Sequence, residues 1–262
     1  MKFIFLIVTL ISILFSAEFN YGEHVKQSFD IEKVKKAKAI VIFVHGGAWV
    51  KGDKLKYQNI LQFFKRNQMI SLNMNYRLVP DNTLEEQISD VAKVVAIAHN
   101  SFPKLKIFLI GHSSGSNIAS LVATDEKYLK KFGTSIKKSN LKGVISLDGP
   151  GFDLFKVKNT LQFPVTLLYT NIFGKRESTY KEYSPITYID RKKPSFLIFC
   201  SISKRSLCIK DAEAFKEKMN KKGNNVFIYP TNNTHKTIAS TFGNNRGGDM
   251  EKRSLKFISL VK

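Results

Sequence analysis

The sequence predicts an α/β fold with a mostly parallel central sheet and helices on both faces, and three observations carry that prediction. Short, continuously apolar runs rich in β-branched residues recur along the chain, as in Ala39 to Val44 (AIVIFV), Lys106 to Ile110 (KIFLI) and Ser195 to Cys200 (SFLIFC). Strands buried on both faces read this way, whereas a half-solvated strand alternates. Amphipathic stretches at helical spacing lie between the runs, the rhythm of strand, crossover helix, strand. The chain has 262 residues, 43% of them hydrophobic, which suits one large core and excludes a disordered chain.

Residues 1–17 stand apart from that pattern. Met1-Lys2 supply a positive start, Phe3 to Phe15 form an almost unbroken apolar run, and Ser16 and Ala17 precede the polar Glu18. This is the layout of a secretory signal peptide, and the run is shorter than the roughly 20 apolar residues of a membrane span. The expectation is an exported protein, periplasmic or secreted, with residues 18–262 as a single domain. Phe15 stands where cleavage after Ala17 would prefer a small residue, which leaves an uncleaved membrane anchor open.

The remaining elements follow in order. Met69 to Tyr76 (MISLNMNY) is a strand. Thr83-Leu-Glu-Glu86 is a capping box, and the helix behind it carries Leu84, Ile88, Val91, Val95 and Ala98 on one face. Ser116 to Ala123 is the helix after KIFLI. Leu141 to Leu147 (LKGVISL) is a strand, Ile209 to Asn220 a helix, Val226 to Tyr229 the last strand and Glu251 to Val261 the last helix. Residues 149–193 fit the rhythm less well. With Phe152, Phe155, Tyr180 and Tyr183 they read either as a cap over the site or as a surface excursion around one crossover helix.

The formal net charge is +21. Such a balance can reflect an anionic partner. Here the lysines are spread along the whole chain with no arginine-rich stripe, so nucleic acid is not the expected partner. Weak association with an anionic envelope surface is compatible with the charge. Cys200 and Cys208 are the only cysteines, a pair that would bond in an oxidising compartment or stay as two buried thiols.

Three motifs carry chemistry. Gly111-His112-Ser113-Ser114-Gly115 is a G-x-S-x-G match directly after a strand and directly before a helix. That context is what a nucleophile elbow requires: a sharp turn lifts the Ser113 hydroxyl out, and flanking glycines remove side chains that would clash. His45-Gly46-Gly47-Ala48-Trp49 also ends a strand. Backbone N–H groups of Gly46 and Gly47 on one side, and of Ser114 on the other, would form an oxyanion hole for charge developing on a carbonyl oxygen. His235 follows the last strand by the short loop Thr231-Asn-Asn-Thr234, the place of the general base in a Ser-first chain order.

Taken together, HGGAWVKGDK, NYRLVPDNTLEEQISDV, GHSSGS, SLDGPGFDL and THKTI resemble the α/β-hydrolase superfamily. The chain is most similar there to the small esterases of the carboxylesterase, feruloyl-esterase and arylformamidase-like group. The resemblance implies the α/β-hydrolase fold, a Ser–His–acid triad, a small-molecule ester substrate and hydrolysis through an acyl-enzyme, without cofactor or metal. In relatives the acid lies in the loop after the strand equivalent to SFLIFC, and here Ser201 to Cys208 contains no carboxylate. Asp148, at the end of LKGVISL, is the favoured acid over Asp211, which falls inside a helix. Two other readings stand beside an esterase: an arylformamidase-like amide hydrolase using the same groups, and a catalytically weak hydrolase fold acting as a binding protein. The sequence leaves the oligomeric state open.

Overall fold

The computed structural model describes residues 17–202, 207–244 and 248–261. The apolar run read as an export signal lies outside them. The sheet has eight strands: β1 (Ala17–Asn20), β2 (Ser28–Glu32), β3 (Ile40–Val44), β4 (Ile70–Met74), β5 (Ile107–His112), β6 (Leu141–Leu147), β7 (Ser195–Ser201) and β8 (Val226–Thr231). Their order is β1-β2-β4-β3-β5-β6-β7-β8. Every pair from β4–β3 to β7–β8 is parallel, and β1 and β2 add an antiparallel edge.

The helices are α1 (Gln58–Arg66), α2 (Leu84–Ser101), α3 (Ser114–Thr124), α4 (Lys127–Lys130), α5 (Leu154–Thr160), α6 (Val165–Phe173), α7 (Glu177–Glu182), α8 (Cys208–Lys221), α9 (Thr237–Ser240) and α10 (Asp249–Leu260). Alternate residues of the central strands feed two cores. Ile40, Ile42 and Val44 pack with Val91, Val95 and Ile118 of α2 and α3. Val41 and Phe43 face the other way, toward Ile60 and Phe64 of α1 and Phe257 of α10. Both faces of these strands are dry, which is why their sequences are apolar without alternation. Thr83 caps α2, with the reciprocal Glu86 contact of the capping box in place.

Two features go beyond the sequence reading, the second by choosing between its two alternatives for residues 149–193. First, β1, β2 and α1 were not expected. In β2 only Phe29 and Ile31 join the core, while Asp30 and Glu32 are buried by partners distant in sequence. Lys54 pairs with Asp30, and Lys65 with Glu32 at 2.6 Å. A strand whose buried face is acidic becomes readable only once its cations are in place. Second, residues 149–193 hold three helices, α5 to α7, rather than the single helix of a plain crossover, and α6 lies over the ends of the strands. The aromatics singled out there serve unequal ends. Phe152 is buried against Phe215 with ring centroids 4.3 Å apart, and Tyr180 is core.

Register brings the loops together. The strand order reverses between β3 and β5, which are neighbours although β4 separates them in the chain. Ligands of open parallel sheets bind at such a point, beyond the carboxyl ends of the strands. Val44 pairs with Gly111, His112 with Leu147, and Leu147 with Phe199. The turn after β3, the elbow after β5 and Asp148 after β6 therefore emerge side by side.

Candidate active site

The elbow after β5 is built by close contact. A Cβ on Gly111 would lie 2.5 Å from the Gly115 carbonyl oxygen, and one on Gly115 would lie 2.3 Å from the carbonyl oxygen of Val44. Ser113 between them adopts φ 52° and ψ −125°, outside the ordinary regions for an L-residue. Ala48, Trp49 and Asp148 also have positive φ. All four of these residues line one cavity of about 560 Å³, whereas the other non-glycine residues with positive φ, Gln68, Asn140 and Lys192, lie away from it.

The three side chains proposed from the sequence meet here. The Asp148 carboxylate can only accept, so His235 Nδ1 carries its proton and donates to Oδ2 at 2.9 Å. Nε2 is then a bare acceptor, and the Ser113 hydroxyl donates to it at 3.0 Å. Asp148 Oδ1 accepts the N–H of Ser201 at 2.9 Å, which ties the carboxylate to β7. The imidazole is half exposed, at 49%, while Asp148 is buried.

Asp211 does different work. It stands in the first turn of α8, buried, and accepts the backbone N–H groups of Gly151, Phe152 and Asp153 at 2.7 to 2.9 Å. Burial pushes its carboxyl up to about 6, against the pull of those three donors. It anchors the entry to the cap and does not reach His235.

The turn after β3 is pressed onto the elbow. A Cβ on Gly46 would lie 2.8 Å from His112 Nδ1 and 2.9 Å from Ser113 Cβ. Gly47 has φ +142°, and a Cβ there would meet the Lys51 carbonyl oxygen at 1.8 Å. Residues other than glycine cannot occupy either place. On this side the cavity is lined by the next two residues, Ala48 and Trp49, together with Ser114, and the lining does not include Gly46 or Gly47, the donors expected from the sequence. Ser114 opens α3, so its N–H has no acceptor within the helix. His45 is buried and donates from Nδ1 to the Gly46 carbonyl at 2.9 Å, while its own carbonyl accepts the Tyr76 hydroxyl at 2.7 Å. These two bonds fix the turn from below.

Several contributors were not legible in the sequence. His112 donates from Nε2 to the His235 carbonyl at 2.9 Å and so holds the backbone of the imidazole-bearing loop. Burial keeps it near a pKa of about 4, hence neutral. Leu161, Val165, Leu168 and Tyr169 of the cap, with Leu207, make the cavity predominantly apolar. Trp49 joins cap to turn, edge-on to Tyr169 at 5.5 Å and to Phe173 at 5.0 Å. Helical spacing of Val165, Leu168 and Tyr169 was the available signal for a wall. Cys200 and Cys208 are disulfide-bonded with Cα atoms 5.5 Å apart, bracketing the loop beside Asp148.

Comparison with known proteins adds family and fold. The BD-FAE family model matches residues 29–219. The chain is 27% identical over 158 residues to the isoprenylcysteine alpha-carbonyl methylesterase of Arabidopsis thaliana, covering 56% of this chain and 36% of that protein. It is 23% identical over 215 residues to Esterase LipC of Mycobacterium tuberculosis, covering 76% of this chain and 53% of that one. The chain thus spans about half or less of the length of these curated relatives. Among solved structures, esterase 2 of Thermogutta terrifontis superposes with a TM-score of 0.71 at 17% identity, over 94% of this chain and 92% of that one. Esterase B from Lactobacillus rhamnosis superposes with a TM-score of 0.73 at 17% identity, over 92% and 85%. These superpositions establish the α/β-hydrolase fold.

Proposed function

The chain belongs to the BD-FAE family, and from that membership we propose that it hydrolyses carboxylic esters of small molecules through an acyl-enzyme on Ser113. The observation that carries the reading is the unbroken relay Ser113 Oγ, His235 Nε2, His235 Nδ1, Asp148 Oδ2, with contacts of 3.0 and 2.9 Å.

Ser113 Oγ attacks the ester carbonyl carbon while His235 Nε2 takes its proton. Asp148 holds the imidazole in the tautomer that can accept, and stabilises the imidazolium that forms. The carbonyl oxygen becomes an oxyanion beside the backbone N–H of Ser114 and the turn that runs from Gly46 and Gly47 into Ala48, donors worth a few kcal/mol each in the transition state. Collapse expels the alcohol, which leaves with the proton from Nε2. Water then repeats the sequence on the acyl-enzyme, releasing the acid and restoring Ser113. No step calls for a cofactor or metal. A binding-only role drew its support from the missing carboxylate between Ser201 and Cys208, and Asp148 fills that place.

The apolar wall of Leu161, Val165, Leu168 and Tyr169 favours an acyl or alcohol group without charge. Turnover of p-nitrophenyl esters of graded chain length, beside an N-formyl aromatic amine, tests the class. Rapid labelling by a fluorophosphonate in the intact chain, lost in Ser113→Ala, is the expected companion result. Preferred cleavage of the formamide, or slow labelling of the intact chain, would overturn the ester reading.

We further propose that the protein works outside the cytoplasm. Its support is the apolar run Phe3 to Phe15 and the Cys200–Cys208 bond, since disulfides persist in oxidising compartments. Fractionation of expressing cells tests it, with the protein expected in the periplasm or medium, or on the membrane if the segment is retained.

A further inference from the structure

A second cavity, of about 1080 Å³, opens at the other end of the sheet. It is lined by Leu141, Ser195 and Phe227, where β6, β7 and β8 begin, whereas Ser113 and His235 lie beyond the ends of their strands. Seven-residue strands such as β6 and β7 separate the two openings by roughly 20 Å.

The groove has two chemical zones. Its floor is apolar, from Ile136, Leu197, Tyr229 and Phe257. On its rim two large hydrophobic side chains stand in solvent, Phe227 at 45% and Leu260 at 65% exposure. Around them lie Lys137, Lys142, Arg191, Lys192 and Lys256. Among the described residues no carboxylate pairs with any of these five. The two carboxylates of the lining are already engaged, Glu126 with Lys130 at 3.6 Å and Asp190 with Lys193 at 3.1 Å. An apolar trough ringed by unneutralised cations is complementary to a molecule with an anionic head and an apolar tail.

We propose that this groove docks the protein on an anionic phospholipid bilayer. Lipid phosphates meet Lys142, Arg191, Lys192 and Lys256, and Phe227 and Leu260 enter the acyl boundary. A nucleic acid would satisfy the cations and leave Leu260 in water, so the exposed aliphatic residue favours lipid. Docked this way, the catalytic pocket faces away from the membrane, toward soluble substrate. The proposal is independent of the ester reading.

The test uses the full chain with Leu260→Trp as a local reporter, Trp49 being the only other tryptophan and buried. Phosphatidylglycerol vesicles should shift the emission to the blue, phosphatidylcholine vesicles should not, and salt should weaken the response. Lys142→Glu with Lys192→Glu and Lys256→Glu should weaken binding at least about tenfold while circular dichroism and melting stay unchanged. Should the reversed charges impair folding, the three Lys→Gln changes replace them and should show the same direction. The N-terminal apolar segment is common to every variant and cannot produce a difference between them. An unshifted emission on phosphatidylglycerol, an equal shift on both lipids, unaltered binding by the charge variants, or displacement of vesicles by a single-stranded oligonucleotide would each overturn the proposal.

Discussion

His235 Nδ1 donates to Asp148 Oδ2 at 2.9 Å across 87 residues of sequence, and the other oxygen of the same carboxylate accepts the N–H of Ser201 at 2.9 Å. Asp148 is thus clamped between the end of β7 and the imidazole. Asp148→Asn preserves shape but offers an amide that can hold the wrong tautomer. Its kcat on a p-nitrophenyl ester should fall by about 10⁴. Asp211→Asn, remote from the imidazole, should keep kcat within about threefold. Equal losses in the two variants would remove Asp148 from the acid's role.

Asp211 is predicted to matter for stability instead. Asp211→Ala strands three backbone N–H groups at the entry to the cap, those of Gly151 and Phe152 buried and that of Asp153 partly so. Each unsatisfied buried donor costs about 1–3 kcal/mol, so urea unfolding should register a loss of about 2 kcal/mol or more. A loss under about 1 kcal/mol would mean that water replaces the carboxylate without penalty.

Stability should decline in mild acid. Burial lowers His45 and His112 from 6.5 to about 4. Between those values the unfolded chain binds two protons that the folded chain refuses, so stability present above pH 6.5 is lost as pH falls toward 4. Asp211 opposes this: its raised value of about 6 means the folded chain takes up that proton first, between pH 6 and 3.8. Two histidines outweigh one carboxylate, and the net loss is on the order of 4 kcal/mol. Urea midpoints at pH 7, 5.5 and 4 should fall in that order, and a flat or rising series would contradict the assignment.

The Cys200–Cys208 bond closes a short loop, with a sequence separation of 8. Chain-entropy arguments assign such a loop about 2.5 kcal/mol. The double Cys→Ser variant should lose roughly that much in denaturant unfolding, and dithiothreitol should lower the intact protein to the same level. Insensitivity to both would show that the loop is held by packing alone.

Leu168 lines the same cavity as Ser113 and His235, on its cap side. Leu168→Trp adds bulk there and should depress kcat/KM for an octanoyl ester at least about tenfold more than for an acetyl ester, since one methylene in an apolar pocket is worth about 1–3 kcal/mol. Equal effects on both esters would place the acyl chain elsewhere.

The meeting of Ser113 with His235 was legible because the signals of both are local. Gly111 to Gly115 needs only its own strand, its own helix and two missing side chains, and His235 needs only its place after the last strand. For the acid the sequence offered a strand-end argument that favoured Asp148 over Asp211 without deciding between them, because carboxyl ends of neighbouring parallel strands converge. Strand β2 was not legible, because its buried Asp30 and Glu32 look solvent-facing until Lys54 and Lys65 arrive from another segment. His112 holding the loop of His235 was hidden for the same reason: its partner is a backbone carbonyl, which leaves no mark in a side-chain pattern.

By itself, then, the sequence determined the alternation of buried strands and amphipathic helices, the elbow at Ser113, the glycine turn at Gly46 and Gly47, and the residue types of a hydrolytic relay. These are short-range matters of periodicity, sterics and turn geometry. Only the tertiary structure decided which carboxylate faces His235, that Asp211 anchors the cap, that α6 walls the cavity, and that cations and exposed hydrophobics share a groove at the far end of β6 to β8. Those outcomes depend on strand order and register, which place residues dozens of positions apart within hydrogen-bond distance and which no local pattern encodes.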